Sequence, residues 1–449
     1  MSKDTLKILI QKFVPTKEIY TFTIDEIKEF RLGKNFIYEF NNTKLNRVHN
    51  KLNLYRDLNK ELNKIELNNS CTAFRKNFSY LDFFEPHRKN YNFLRLDIRS
   101  FFHSIQEDDI RKVFEKYIPE NQYITEEGKI SFLDTFINIV TYEVPEQSIN
   151  KKFRGKRILP MGFLTSPVIS NIIFRQLDIQ IQKLCSVNKI TYTRYADDML
   201  FSSSESLNYL HTDSFIQEVQ TILFQMKFKL NNKKTLKAKH TLALNGYILQ
   251  YSEVTDNKHK IINELRLSNK KTKVINKLIY MIKYKEYPAE FILKKLFKYK
   301  IKLHVNHNEI VEKYNRVQLL NKILGYRSYL LSLIQFDKKY HSTQSKTIIK
   351  YSDLINELEE ISKKYQQRIE SLEKKIQNKK FLSKISQVSV TSLVLSDWRK
   401  RKLWDAGYEM LYDLYDVRED ELVYKIDGVG KVKAKEILKI IENEIQKYK

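Results

Sequence analysis

The amino-acid sequence predicts a mixed protein, α/β or α+β, with a helical C-terminal part. Residues 91–250 alternate short apolar strands with helices, which is the pattern of a mixed domain. From residue 266 onward the apolar positions recur at helical spacing instead. With 449 residues, 42% of them hydrophobic and 30% charged, the chain has room for roughly two to four domains of an ordinary soluble protein.

The net charge of the chain is strongly positive. Eighty Lys and Arg against 54 Asp and Glu give a formal charge of +26 and a pI near 9.6. This excess suits a polyanionic partner such as nucleic acid, although a Lys-rich composition that only solvates the surface is the alternative. No segment is long and apolar enough for a bilayer and no signal peptide is recognisable, so we expect a cytoplasmic protein without membrane contact. Cys71 and Cys185 alone exclude a disulfide framework and a cysteine zinc site.

Two adjacent carboxylates lie in a turn between two apolar segments. Asp197 and Asp198 follow the candidate strand Ile190–Arg194 and precede the candidate strand Met199–Ser202. Like charges this close repel each other unless they bind a cation or a proton. Asp97 ends an earlier candidate strand and adds a third carboxylate if the two strands are neighbours. Carboxylate oxygens suit Mg²⁺, and two such ions about 3.5–4 Å apart activate a hydroxyl nucleophile and stabilise a leaving pyrophosphate.

An Asp-Asp turn by itself is more often a solvated hairpin tip, but the segments around this one carry a resemblance to a known family. LDIRSFFHSI (96–105), LPMGFLTSPVISN (159–171), YTRYADDMLF (192–201) and FKLNNKKT (228–235) resemble, in this order, four palm motifs of bacterial reverse transcriptases. Asn245-Gly246-Tyr247 sits where the primer-grip hairpin of that family is expected. The five segments cover residues 90–250 at the spacing of the family.

The resemblance implies the fold of a right-hand polymerase with an antiparallel palm sheet. Fingers and palm would occupy residues 1–262, a helical thumb 263–345, a coiled-coil-like helical linker 346–388 and an all-α helix-hairpin-helix domain 389–449. It also implies a catalytic centre with two Mg²⁺ ions, or Mn²⁺ in their place. The residues that would hold these ions are Asp97, Asp197, Asp198 and, through its main-chain carbonyl, Ile98.

The resemblance assigns nucleotide-binding roles to further positions. Phe102 matches the position whose ring blocks a 2′-hydroxyl and so selects deoxynucleotides, with a core aromatic as the alternative. Gly162 and Met161 would lie against the nucleotide, where a Cβ at residue 162 would intrude. Lys234 matches a position near the triphosphate, although an ordinary surface lysine fits equally well. In the fingers, the basic residues that would hold the triphosphate and template are Arg47, Arg75 and Lys76.

The chain departs from the pattern of bacterial reverse transcriptases in two respects. Many relatives have Gln after the proline of the second motif, and this chain has Met161, whose thioether cannot reproduce the hydrogen bonds of an amide. Retron enzymes usually carry Asn-Ala-x-x-His before the first motif and Val-Thr-Gly near the grip. Of these signatures the chain keeps only His87 and Gly246, so it resembles a retron relative outside the typical retron set.

The residues after the palm are basic and aromatic. Residues 266–302 contain twelve Lys and Arg against two Glu, interleaved with Tyr and Phe. This mixture fits a thumb surface that follows the phosphates of a template–primer duplex, with Lys270, Lys271 and Lys273 among its contacts. Further on, a series of apolar residues at alternating four- and three-residue steps predicts a coiled-coil-like helix over 350–380 that could join a partner or a second copy. The series is Leu354, Leu358, Ile361, Tyr365 and Leu372, with Arg368 filling one position.

The C-terminal segment 395–437 resembles a helix-hairpin-helix pair. In that family a Gly-x-Gly turn, here Gly428 to Gly430, caps a helix whose N-terminal amides hold a nucleic-acid phosphate. Lys431 and Lys433 would reinforce this contact. Such pairs also serve as protein docking modules, so a protein partner is the alternative.

The resemblance as a whole implies an RNA-directed DNA polymerase that makes cDNA from dNTPs. Stand-alone bacterial enzymes of this kind resemble those of antiphage defence, often with a dedicated non-coding RNA as template. A polymerase that adds nucleotides without a template or primes from a protein hydroxyl is the main alternative. An RNA-binding scaffold with an inactive palm is disfavoured by the intact carboxylates, and an intron maturase by the C-terminal segment.

Overall fold

A computed structural model of the chain describes residues 10, 26–33, 35–41, 45–118, 131–205, 209–256, 259–299 and 308–448. The chain divides into two compact units. Met1–Asn269 together with Ser332–Ile349 form the N-terminal unit, and Lys270–Leu331 together with Lys350–Lys449 form the C-terminal unit. None of the described helices combines the length and the apolar character that a membrane span requires.

The elements of the N-terminal unit alternate between strands and helices, as the sequence predicts. The strands are β1 (Ile27–Leu32), β2 (Asn35–Phe40), β3 (Asn92–Asp97), β4 (Tyr142–Glu143), β5 (Arg157–Ile158), β6 (Thr191–Tyr195), β7 (Asp198–Ser203), β8 (Leu236–Lys239), β9 (Thr241–Leu244), β10 (Tyr247–Asp256) and β11 (His259–Leu267). The helices are α1 (Leu45–Leu62), α2 (Phe101–Ser104), α3 (Glu107–Phe114), α4 (Phe132–Val140), α5 (Ser166–Val187) and α6 (Asp213–Phe224).

The central sheet has four antiparallel strands in the order β6-β7-β3-β8. All six residues of β7 are buried, and five of six in β3, because helices and loops cover both faces of these inner strands. A second antiparallel sheet, β9-β10-β11, follows, and β1-β2 and β4-β5 are separate hairpins. The α+β class with antiparallel sheets is therefore confirmed.

The second sheet includes chain from much later in the sequence. Leu265 on β11 donates its N–H to the Ser342 carbonyl (2.9 Å), and the Thr343 hydroxyl donates to the Leu265 carbonyl (2.7 Å). Residues 332–349 thereby belong to the N-terminal unit, although the sequence predicted one continuous thumb over 263–345. The predicted boundary at residue 262 falls inside β11.

A fully buried ion pair supports the turn between β6 and β7. The Arg194 guanidinium donates from Nε and Nη2 to the two carboxylate oxygens of Asp178 on α5, at 2.9 and 2.8 Å, and both side chains are 0% exposed. Its Nη1 donates to the Ala196 carbonyl (3.1 Å) and to Asn171 Oδ1 (3.2 Å). The guanidinium plane also lies 4.3 Å from the Phe174 ring centroid. One core residue therefore fixes the turn's backbone to α5.

Gly162 marks a close approach between two backbone segments. It has φ +118°, and a Cβ at this position would lie 2.3 Å from the Tyr38 carbonyl oxygen of β2. Tyr38 donates its N–H to the Met161 carbonyl (2.8 Å), so β2 is held directly against this loop. The glycine is required by the fold itself, since no side chain fits between the loop and β2.

The buried His87 side chain links the two strands of the β6–β7 hairpin. Its Nδ1 lies 2.6 Å from the Ser202 hydroxyl on β7, and its Nε2 lies 2.8 Å from the Thr193 hydroxyl on β6. Thr193 already donates to the Phe83 carbonyl (2.8 Å), so the network assigns a neutral imidazole that donates from Nε2 and accepts at Nδ1. Burial lowers the pKa of His87 to about 3.

The C-terminal unit is helical, as the sequence predicts. Its helices are α7 (Asn269–Lys283), α8 (Ala289–Phe297), α9 (Asn308–Tyr340) and α10 (Ser345–Ile385), the last two extending into the N-terminal unit, followed by α11 (Asp397–Asp405), α12 (Glu419–Lys425) and α13 (Lys431–Gln446). Within this unit α9 and α10 run antiparallel. Their ion pairs are Glu309–Lys379, Lys313–Glu373 and Arg327–Glu359.

The predicted apolar seam of α10 needs one correction. Leu354, Leu358, Ile361 and Tyr365 are buried, but Arg368 is exposed and Ile369 takes the next buried position. The series follows the 3.6-residue period of a straight helix more closely than a 3.5-residue heptad, which explains the shift by one residue. These side chains are buried within the chain itself.

The segment from Phe381 to Ile445 has its own apolar core. Leu403, Leu422 and Ala434 are fully buried in it. The first predicted hairpin runs from α11 through Gly407 (φ +87°) into a short 3₁₀ turn over Leu411–Leu414, and the second joins α12 to α13. The structure thus has two helix-turn segments where the sequence predicts a helix-hairpin-helix pair, although the first lacks a full second helix.

We predict that Asp178→Asn lowers the free energy of unfolding by about 3–5 kcal/mol, because it strands the Arg194 charge in the core. Chemical denaturation followed by circular dichroism measures this change. Asp57→Asn is the control, since its partner Lys60 is 75% exposed and such a pair contributes about 0–1 kcal/mol. Equal losses for the two variants would contradict the structural role of the buried pair.

We predict that Gly162→Ala weakens the packing of β2 and lowers the thermal unfolding midpoint, because the Tyr38 carbonyl must move to admit the methyl group. Gly325→Ala, on the helix α9, is the matched control. No atom lies within 4 Å of the added Cβ there, and alanine in a helix is favoured over glycine by about 1 kcal/mol. If both variants melt at or above the wild-type temperature, the close approach at residue 162 is wrong.

We predict an acid-dependent loss of stability that depends on His87. The unfolded chain binds a proton at this residue below pH 6.5 and the folded chain binds it only near pH 3, so the unfolding free energy falls as the pH drops between these values. The contribution amounts to about 2 kcal/mol between pH 7 and pH 5. His87→Gln should flatten that slope, whereas His240→Gln, at an exposed position between β8 and β9, tests the loss of a surface imidazole. An unchanged slope in His87→Gln would refute the assignment.

Candidate active site

The central sheet brings the three predicted carboxylates together. In the register of β3 and β7, Asp97 lies directly opposite Asp198. Asp197 occupies the turn between β6 and β7, which Ala196 enters with φ +55°. The Ile98 N–H donates to the Asp197 carbonyl (2.9 Å), so the end of β3 is tied to the turn. The strand neighbourhood that the sequence argument required is present.

Two basic side chains pair with these carboxylates. Arg95 donates from Nε to Asp198 Oδ1 (2.8 Å) and from Nη2 to Asp97 Oδ2 (3.1 Å). The Lys234 ammonium, predicted to lie near a triphosphate, is 2.8 Å from the same Asp97 oxygen. Arg95 was not among the predicted site residues. Because it lies two residues before Asp97 on a strand, the side chains of Arg95 and Asp97 point to the same face of the sheet.

Amide side chains orient the carboxylates as well. Asn231 of the fourth motif donates to Asp97 Oδ1 (3.0 Å). Asn245, in the turn between β9 and β10, donates to Asp198 Oδ2 (3.3 Å) and to the Tyr80 hydroxyl (2.6 Å). The turn between β9 and β10 therefore reaches the carboxylate cluster directly, a contact that was not predicted.

The chemistry of the cluster suits a hard divalent cation. Burial, and after it the charges of Asp198 and Asp97, raise the pKa of Asp197 to about 6. A cation in this place would relieve that repulsion, and carboxylate and carbonyl oxygens are the ligands that Mg²⁺ prefers. Within the part of the chain that the structure describes, no three His, Cys, Asp or Glu side chains stand close enough to hold a metal as they are. Oxygens of Asp97 and Asp198 face Arg95 and Lys234 instead.

A cavity of about 910 Å³ opens beside the carboxylates. Six of the predicted site residues line it, namely Asp97, Ile98, Phe102, Met161, Asp197 and Lys234. The volume is that of a site for a drug-sized ligand. Two neighbouring rings, Phe101 and Phe102, have different environments. Phe101 is 4% exposed and packs on Phe174 and Phe228, whereas Phe102 is only half-buried.

Other predicted nucleotide-binding residues lie elsewhere. Gly162 lines a different cavity of about 990 Å³ that includes Arg56 and Lys60 of α1. Arg75 donates to the Cys71 carbonyl (2.9 Å) and stacks on Phe78, so its guanidinium holds its own loop. Lys76 in the same loop is exposed, and neither it nor Arg75 lines the 910 Å³ cavity. The side chain of Arg47 lies outside the described residues.

The predicted nucleic-acid-binding lysines lie in the C-terminal unit. On α7, Lys270 and Lys273 are exposed, while Lys271 lies over the Tyr329 ring at 4.7 Å. At the start of α13, Gly430 is the N-cap residue and Lys431 is exposed. Gly428 has φ +83°, and its carbonyl accepts a hydrogen bond from Lys433 (3.4 Å). The Lys433 ammonium also lies 4.9 Å from the ring centroid of the half-exposed Trp398.

Comparison with known proteins places the central region in a family. The model of the family "Reverse transcriptase (RNA-dependent DNA polymerase)" matches residues 41–249. The retron Ec73 reverse transcriptase of Escherichia coli is 32% identical over 190 residues, which are 41% of this chain and 55% of that protein. The retron Ec83 reverse transcriptase of Escherichia coli is 28% identical over 224 residues, which are 48% of this chain and 63% of that protein. The chain thus spans less than two thirds of the length of these curated relatives.

Among solved structures, telomerase from Candida albicans in complex with the TWJ fragment of telomeric RNA aligns with a TM-score of 0.37 at 13% identity. The alignment covers 82% of this chain and 64% of that chain. The family match covers the three carboxylates, all five motifs and the residues of the cavity wall other than Asn35 and Phe36. Residues 41–249 are therefore similar to the reverse transcriptase family, and the curated relatives that share this similarity are retron reverse transcriptases.

Proposed function

We propose that this chain is an RNA-directed DNA polymerase that makes cDNA by two-metal nucleotidyl transfer. The observation that carries the proposal is the register of β3 and β7, which sets Asp97 opposite Asp198 beside a cavity that Asp197 also lines. Mg²⁺ ions held by these three carboxylates and the Ile98 carbonyl would lower the pKa of a primer 3′-hydroxyl and stabilise the charge of a leaving pyrophosphate.

The side chains of the cavity wall have distinct tasks in this reaction. The half-buried Phe102 ring presents an apolar surface where a ribose 2′-hydroxyl would otherwise be accommodated, which favours deoxynucleotides. Met161 offers an apolar thioether to the nucleotide in place of an amide. Lys234, whose side chain is 53% exposed and 2.8 Å from Asp97, is placed to donate a proton to the leaving pyrophosphate.

Arg95 balances the charge of the carboxylates before the reaction. Its guanidinium bridges Asp97 and Asp198, and its Nη1 donates to the Lys234 carbonyl (3.0 Å). Because a divalent ion would use the same oxygens, Arg95 must withdraw from at least one carboxylate as the ion binds. Arg95 thus stabilises the pairing of β3 and β7 before an ion binds, and it leaves a carboxylate oxygen when the ion takes that oxygen.

The template and the biological role are a further part of the proposal. The similarity to retron reverse transcriptases favours a dedicated non-coding RNA as template and a role in antiphage defence. Sequencing the nucleic acid that co-purifies with the wild type and with Asp197→Asn tests this. One abundant RNA in both samples, with complementary DNA only in the wild type, is the expected result. A mixture of unrelated cellular RNAs in both would contradict a dedicated template.

We predict that Asp197→Asn lowers dNTP incorporation on a primed RNA template by at least about a hundredfold, more than the loss typical when only an outer partner of a metal ligand is removed. The variant should keep its thermal midpoint, because the substitution relieves repulsion among three carboxylates. Asp213→Asn, at a carboxylate 88% exposed, is the matched control and should retain activity. Incorporation of labelled dNTPs, resolved on denaturing gels, measures both.

The same gels distinguish the alternative chemistry. Product that appears without template, and that migrates freely only after protease treatment, would indicate a protein-primed or template-independent polymerase. Full activity in Asp197→Asn would show that the carboxylate cluster is not the catalytic centre at all.

A further inference from the structure

A loop on the far wall of the cavity is built into the site. β4 and β5 are joined by residues 144–156, and Asn150, Lys152 and Phe153 of this loop line the same cavity as Asp97 and Phe102. Neither the five motifs nor the roles assigned above include any residue of this loop.

The loop is fixed by hydrogen bonds to the β1–β2 hairpin. Glu29 on β1 accepts from the Ser148 hydroxyl (2.7 Å) and from the Ile149 N–H (3.1 Å). The Asn150 amide donates to the Tyr38 hydroxyl on β2 (2.8 Å). Within the loop, Arg154 donates twice to the Ser148 carbonyl, at 2.9 and 2.7 Å. A residue carried by this loop is therefore held at a defined place on the cavity wall.

Lys152 stands there among charges of its own sign. The charged groups that act on its ammonium are all cations, namely Arg99, Lys156 and Lys229. Lys156 directly precedes β5, Arg99 belongs to the first motif and Lys229 to the fourth. Partial burial of the ammonium, followed by these positive charges, lowers the pKa of Lys152. The nearest favourable contact is the Phe153 ring, whose centroid is 4.8 Å from Nζ. Cations gathered in this way repel one another, and a polyanion removes that repulsion.

The other cations near the carboxylates already form ion pairs with them. Lys234 is paired with Asp97, and Arg95 with both Asp97 and Asp198. A nucleoside triphosphate whose α-phosphate reaches Asp97 and Asp197 carries two further phosphates that must lie elsewhere in the cavity. Arg99 and Lys152 line that cavity and are exposed, so they can meet these phosphates without first breaking an ion pair with a carboxylate of the described residues.

We propose that Lys152, together with Arg99, binds the β- and γ-phosphates of the incoming deoxynucleoside triphosphate and the pyrophosphate formed from them. The inference rests on the proposed polymerase function and adds the β4–β5 loop to the nucleotide site. The ligand chemistry is a phosphate chain. A phosphate of the template strand is the other source of the same chemistry, and the experiment separates the two.

The test compares Lys152→Ala with Lys151→Ala in the full-length protein. Lys151 is the exposed neighbour on the same loop and is not part of the cavity wall as described. Loss of one charge-assisted contact should raise the KM for dNTP about tenfold in Lys152→Ala, with kcat changed less than about threefold. The pyrophosphate concentration that halves the rate should rise by a similar factor. Lys152→Glu should exceed both effects, and Lys151→Ala should match the wild type.

Two binding measurements complete the test. Fluorescence anisotropy gives the Kd for a labelled template–primer, which should stay unchanged in Lys152→Ala. Titration with a fluorescent-base deoxynucleotide in Ca²⁺, without turnover, gives the preference for triphosphate over monophosphate, which should fall about tenfold. A weaker template–primer Kd with an unchanged dNTP KM would assign Lys152 to the template and overturn the proposal. Equal losses for triphosphate and monophosphate, or equal effects of Lys151→Ala, would overturn it as well.

These outcomes are distinct from failure of the proposed function. If the wild type does not polymerise but the triphosphate preference depends on Lys152, the binding inference stands and the polymerase proposal fails. If the wild type polymerises and Lys152→Ala behaves like it in every measurement, the inference fails alone.

Discussion

The buried ion pair between Arg194 and Asp178 fixes the place at which the candidate catalytic carboxylates stand. A guanidinium and a carboxylate withdrawn from water are costly unless their donors and acceptors are satisfied, and here Asn171 and the Ala196 carbonyl complete the set. The partners come from α5, from β6 and from the turn itself, so none of these can shift without stranding a buried charge. The turn that carries Asp197 is therefore set by the core beneath it rather than by its own backbone preferences.

The carboxylate cluster brings its own counter-ions. Arg95 and Lys234 neutralise much of the repulsion among Asp97, Asp197 and Asp198, which lets the last residue of β3 pair with the first residue of β7. The arrangement has a cost for metal binding, since an ion that takes these oxygens must replace contacts the folded chain already makes. The affinity of these carboxylates for a metal ion would thus be the gain from binding the ion minus the loss of their contacts with Arg95 and Lys234.

Much of the site was predictable, because its residues lie in segments whose local pattern is strong. The hairpin of β6 and β7 and the end of β3 follow from apolar strands that end in charged residues, whereas Lys234 was assigned from its resemblance to the fourth motif. Arg95 and Asn245 were missed because their importance depends on strand register and on the meeting of two sheets. Gly162 was predicted to leave room for the nucleotide, but the Tyr38 carbonyl of β2 occupies the space beside it. The return of residues 332–349 to β11 is a contact over long sequence separation that no local pattern encodes.

The cavity has an uneven distribution of charge, and this distribution bears on how a nucleotide would lie in it. Phe102 and Met161 contribute apolar surface, the committed ion pairs surround Asp97, and Lys152 and Arg99 contribute positive charge without a carboxylate partner among the described residues. A deoxynucleoside triphosphate has the same division, with an apolar face on the sugar and base and several negative charges on the phosphates. Because apolar surface and unpaired charge each attract one end of the ligand, a reversed orientation would bury phosphates against Phe102 and leave the lysine unpaired. The loop that carries Lys152 is tied to β1 and β2, so this polarity is a fixed property of the folded domain.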